Sequence, residues 1–169
     1  MKPMLTRLMR RIAGAWLGLG LAALTLLCSA EATGASALDT VQSFYDTLLT
    51  TMRRGNELGQ SGRCIQLQPV VHSIFDVPFM ARMGIGSGWA TVSSGQQQQV
   101  IEAFERYITA IYADRFDTYS GEQIQVLGEQ RSDAETVVMT RIVDSNGEPE
   151  NVNYLMRSRG STWQIADVF

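Results

Sequence analysis

The chain has a single histidine, His72, so neither a multi-histidine metal site nor a relay between two histidines is available. It also lacks a glycine-rich phosphate loop, a metal-binding cluster and a nucleophile motif, so neither a metal nor another cofactor is expected. Cysteine is almost absent. Cys28 lies in an N-terminal leader described below, and its removal leaves Cys64 alone, which excludes an internal disulfide even in an oxidising compartment. No base lies next to Cys64 in the sequence, so it is read as a small, partly buried apolar residue rather than a nucleophile. The core must hold by packing.

What is present starts with that leader. Lys2, Arg7, Arg10 and Arg11 precede an uncharged apolar run from Ile12 to Leu27, followed by small residues, the order of a secretory signal peptide. Cleavage is expected after Ala30, in Cys28-Ser29-Ala30, with Ala35-Ser36-Ala37 as the other site that fits. Leu27 before Cys28 argues against a lipid anchor on that thiol. The rival reading keeps the segment as an uncleaved inner-membrane anchor, which its length just permits. The expected organisation is a signal peptide over residues 1–30 and one domain over residues 31–169, long enough for a real core.

Without the four basic residues of the leader, ten Lys and Arg face seventeen Asp and Glu, a net charge of minus seven. That balance makes nucleic acid an improbable partner and disfavours tight attachment to an anionic membrane surface.

From Leu38 to Met52 the apolar residues Val41, Phe44, Tyr45, Leu48 and Leu49 recur three and four apart, one face of an amphipathic helix with Gly55 as its stop. A connector through Gly59 and Gly62 leads to a second helix over Arg63 to Ile74, burying Ile65, Leu67, Val70, Val71 and Ile74. Pro78 suits the first turn of a short helix, ended by Gly84, Gly86 and Gly88. Ser93 with Gln96 forms a capping box that opens a long helix to about Phe116, carrying Ile101, Phe104, Ile108 and Tyr112 on one stripe. Beyond Gly121 the period becomes that of strands: Gln123 to Leu127, Thr136 to Val143, Val152 to Arg157 and Thr162 to Val168, with Asn146-Gly147 as a hairpin turn. The sum is an α+β fold, helices first and then an antiparallel sheet of about four strands.

Several motifs carry a family resemblance. Phe75-Asp76-Val77-Pro78-Phe79-Met80-Ala81-Arg82, then Gly84-Ile85-Gly86 and Trp89, the Ser93-Ser94 helix start and Tyr119-Ser120-Gly121-Glu122 together resemble the MlaC-like, or toluene-tolerance, proteins, soluble lipid carriers of Gram-negative periplasmic transport. Gly62-Arg63, Leu67-Gln68-Pro69, Tyr112-Ala113 and the closing Trp163-Gln164-Ile165-Ala166-Asp167-Val168 are similar to the hopanoid-biosynthesis-associated HpnM branch. The resemblance implies helices on a curved sheet forming an NTF2-like cone with an apolar interior. Matching proteins usually continue past the final Asp-Val into a segment rich in Gly, Ser and Arg. This chain stops at Phe169, so the resemblance implies a domain short at its C-terminus, through a truncated gene or a divergent branch.

Most polar candidates have a structural explanation. Asp76 ahead of Val77-Pro78 is placed to cap a helix, and Arg82 either to pair with Asp76 or Glu105 or to lie at the mouth of a pocket and meet a polar headgroup. Trp89 and Trp163 are read as core anchors. Met80, Met83, Met139 and Met156 adapt to irregular apolar shapes. The expected pocket lining is Phe75, Met80, Phe104, Ile108, Tyr112, Val138, Tyr154 and Met156. The resemblance then implies a non-enzymatic periplasmic shuttle for a hopanoid or phospholipid, working with an inner-membrane transporter and an outer-membrane acceptor. Two rivals remain open: a cone enzyme using Asp76, His72 or Tyr112 as acid and base on a small apolar substrate, and an interaction module with a filled core.

Overall fold

The computed structural model describes residues 35–132 and 135–169; the leader expected over residues 1–30, with its cleavage point after Ala30, lies outside the described residues. Four α-helices precede four strands: α1 Ala37–Arg53, α2 Gly55–Ile74, α3 Val77–Ile85, α4 Ser94–Arg115, then β1 Gln123–Arg131, β2 Glu135–Val143, β3 Pro149–Arg159 and β4 Thr162–Val168. A 3-10 helix, Gly86–Thr91, joins α3 to α4. The expected order of helices before an antiparallel sheet is the order found.

Helix starts follow from local chemistry. Ser36 caps α1 through a reciprocal box with Asp39, and hydrogen bonds from the Ser36 side chain and backbone hold the Asp39 carboxyl below its ordinary value. Ser93 and Gln96 form the corresponding box on α4. The Asp76 carboxylate accepts the Phe79 amide at 3.2 Å, and Pro78 fills the first turn of α3.

The segment read as a glycine connector is instead helical. Only Arg54 separates α1 from α2, and the one interruption is Gly59, in the left-handed region at φ 60°. Gly55 is not a stop: it is buried where the chain passes close to the backbone of Asp117. Arg63 secures this turn. It is 8% exposed, and its guanidinium donates to the carbonyls of Ala113 (2.7 Å) and Gly55 (3.0 Å) and to the Gln60 amide oxygen (2.8 Å). Beyond the kink, Arg63, Leu67 and Val71 face inward four apart, which puts Ile65 on the solvent side, 72% exposed and not buried as expected.

The sheet runs β1-β2-β3-β4, every neighbouring pair antiparallel. Bulges at Leu127 in β1 and at Ala166 in β4 bend it, because one extra residue on a strand increases local twist. The β4 edge is joined to the turn before α3, where the Asp76 amide donates to the Ile165 carbonyl at 2.8 Å. Thr136, Val138, Thr140 and Ile142 alternate onto the inner face of β2, and Val152, Tyr154 and Met156 onto that of β3. Against them pack Val41, Phe44, Tyr45 and Leu48 of α1 and Leu67 and Val71 of α2, all fully buried.

Candidate functional site

The interior is packed at one end and open at the other. Val138, Met156 and Ile165 are 0% exposed and belong to a continuous core with Phe44, Leu67 and Val71. Towards the β2–β3 turn the same inner face is left uncovered, and a cavity of about 740 Å³ lies between it and α4. That is within the range of ligand pockets, roughly 300–1,000 Å³.

Of the eight residues expected to line a lipid pocket, six border this cavity: Phe75, Met80, Phe104, Ile108, Tyr112 and Tyr154. Val138 and Met156 do not. They are on the predicted face of the sheet but at its plugged end, Val138 directly opposite Tyr154 in the register and Met156 one same-face step past it, and Ile142 and Val152 take the lining position along β2 and β3. Alternation identifies the face of a strand, but it carries no information about which length of that face the helices cover.

Aromatic rings form the boundary between the two halves. Tyr112 meets Phe44 edge-on with centroids 5.0 Å apart, lies 5.7 Å from Phe75 and stacks on Phe116 at 5.7 Å. Tyr154 meets Tyr45 edge-on at 5.7 Å. The Thr140 hydroxyl donates to the Val152 carbonyl (2.6 Å), so Tyr45 is the donor in its 2.7 Å contact with Thr140. Burial pushes the Tyr112 phenol up to about 12. Burial first, and then the neighbouring tyrosines, raise Tyr154 still further. Both hydroxyls are therefore neutral at pH 7, and Tyr112 is placed to donate a hydrogen bond rather than to take a proton.

Of the three residues considered as acid and base, only Tyr112 lines the cavity. His72 is on the exposed side of α2 and donates from Nδ1 to the Glu105 carboxylate at 2.8 Å; Asp76 caps α3 and pairs with Arg157 at 3.4 Å. Those two pairings also displace the one expected for Arg82, since Asp76 and Glu105 are both engaged elsewhere. Arg82 lies instead 5.6 Å from the centroid of the Phe79 ring, against which Arg157 also rests at 4.0 Å. Trp163 is half-buried and packs against the core, whereas Trp89 is half-buried outside it, and Met83 is 62% exposed. Among the described residues no three His, Cys, Asp or Glu side chains converge on a metal-sized site.

The polar part of the lining was not foreseen. Arg115, Asp117, Thr118, Ser120 and Glu122 reach the cavity from the end of α4 and the loop into β1, Asp144 from the β2–β3 turn and Glu150 from the start of β3. Arg115, Asp117, Asp144 and Glu150 are solvent-exposed, whereas Ile108 and Tyr154 are buried, so the charged groups form a rim and the apolar groups a floor.

A family model described as MlaC protein matches residues 42–169. Among solved structures the chain is similar to a phospholipid-binding protein from Ralstonia solanacearum, solved in complex with a phospholipid, with a TM-score of 0.67 and 22% identity over 79% of this chain and 77% of that one. At that identity the likeness establishes the fold. No curated protein matches the chain.

Proposed function

The chain belongs to the MlaC protein family, and on that premise we propose that it is a lipid carrier that performs no covalent chemistry. The observation that carries this reading is the cavity of about 740 Å³, with an aromatic and aliphatic floor that is continuous with the protein core and a rim open to water. Each methylene exposed to water costs about 0.8 kcal/mol, so an acyl chain or a fused-ring hydrocarbon gains by moving from water into such a hollow. The phospholipid held by the Ralstonia solanacearum protein of the same fold supports a lipid as the occupant.

The finer reading is a periplasmic shuttle for a hopanoid or a phospholipid, moving between an inner-membrane transporter and an outer-membrane acceptor. Its support is the leader-like N-terminus, the motifs similar to the HpnM branch and the acidic body, which favours docking to proteins over residence on an anionic bilayer. Native mass spectrometry of protein gently isolated from its own host tests the carrier reading. A lipid adduct near one per chain is expected. Protein that is uniformly empty, with no lipid in its organic extract, would overturn the proposal.

A further inference from the structure

The charge of the rim bears on which lipids the cavity accepts, an inference that rests on the carrier reading. Four carboxylates, Asp117, Glu122, Asp144 and Glu150, line the cavity against one guanidinium, Arg115. The other nearby arginines are engaged elsewhere. Arg63 is buried on the carbonyls of Ala113 and Gly55, where its charge offsets the negative end of α4, and Arg53 rests over the Tyr119 ring at 5.3 Å. Neither lines the cavity. Asp144 accepts the amides of Asn146 (2.8 Å) and Glu148 (2.9 Å), and these bonds hold its carboxyl below the ordinary value, so it stays ionised.

A carboxylate accepts hydrogen bonds and donates none. The chemistry complementary to this rim is therefore a donor-rich group without net negative charge. A lipid seated with its apolar part on the Tyr112 and Tyr154 floor places its polar end among these carboxylates. We propose that the rim selects a lipid whose polar end bears hydroxyl or ammonium donors and disfavours one with an anionic phosphate. The recognition residues are Asp117, Glu122, Asp144 and Glu150.

The test incubates the delipidated protein, at low salt, with vesicles containing equal parts of phosphatidylglycerol, monoglucosyl diacylglycerol and a diacyl aminopropane with matched acyl chains, and reads the bound species by native mass spectrometry. The glucolipid or the amine, and which of the two is part of the readout, is expected to exceed phosphatidylglycerol by roughly threefold to tenfold, the range for a few exposed charges. That preference should shrink as salt is added. Asp117→Asn combined with Glu150→Gln changes two exposed side chains that hold no backbone amide, and it should bring the ratio toward one. Glu150→Lys should move it further toward the anion. Equal or preferred uptake of phosphatidylglycerol by the native protein would overturn the headgroup inference and leave the carrier reading standing. A ratio unmoved by these substitutions would overturn the assignment to the rim. Uptake of none of the three lipids would overturn both readings.

Discussion

Gly55 lies against Asp117 so closely that a Cβ built on it would stand 1.6 Å from the Asp117 carbonyl oxygen. The start of α2 is thereby seated on the loop that leaves α4, and the obstruction is backbone, which cannot rotate away. Gly55→Ala is expected to destabilise the fold by about 3 kcal/mol or more, the upper end of overpacking costs. Urea denaturation checks this through a lowered midpoint; an unchanged midpoint would contradict the packing described.

Arg63 should be similarly intolerant for a different reason. Its planar fork satisfies two backbone carbonyls and one amide oxygen in a nearly dry site. Arg63→Met keeps the volume but strands those acceptors, at a cost of about 1–3 kcal/mol for each that water does not reach. Arg63→Lys is expected to recover little, because a point charge cannot reproduce the fork. Thermal melting of the two variants beside the native protein gives the comparison.

The division of the interior separates two kinds of substitution. Met156→Ala removes a fully buried side chain from the plugged end and should cost about 2–5 kcal/mol, with lipid content per folded molecule little changed. Ile142→Trp places a large ring in the cavity and should displace lipid while altering stability less. Denaturation midpoints and lipid extraction on the same preparations decide between this arrangement and a uniformly packed core.

The buried tyrosines predict loss of stability on the alkaline side. Tyr112 titrates near 12 in the folded protein and near 10 when unfolded, so between those values the unfolded chain gives up a proton that the folded one retains. The stability present below pH 10 should therefore decline as pH rises from 10 towards 12, and Tyr45 and Tyr154, also raised, act in the same direction. A tyrosinate absorbance titration should show these phenols ionising only with unfolding. Early, independent ionisation would mean that they are wetter than described.

Local signals carried most of the architecture. Ser93 with Gln96, Asp76 with Pro78, Asn146 with Gly147 and the change of period after Gly121 each specify their element through a few neighbouring atoms. Where tertiary contacts outweigh local preference, the sequence was less readable. Gly55 suggests a stop and Gly59 with Gly62 a connector, yet the helix persists where Arg63 bonds to Gly55 and Ala113. Val138 and Ile142 differ by two same-face steps on one strand, and only the placement of the helices makes one core and the other cavity wall. The rim brings together Glu122 and Glu150, from a helix exit and a distant hairpin, with no motif spanning both.

The capped β4 edge and the interlocked rings of Phe44, Tyr45, Phe75 and Tyr154 lie on the far side of the hollow from its entrance. An empty hollow therefore leaves the larger share of the internal packing in place, and on the proposed carrier reading release of a lipid need not begin with unfolding.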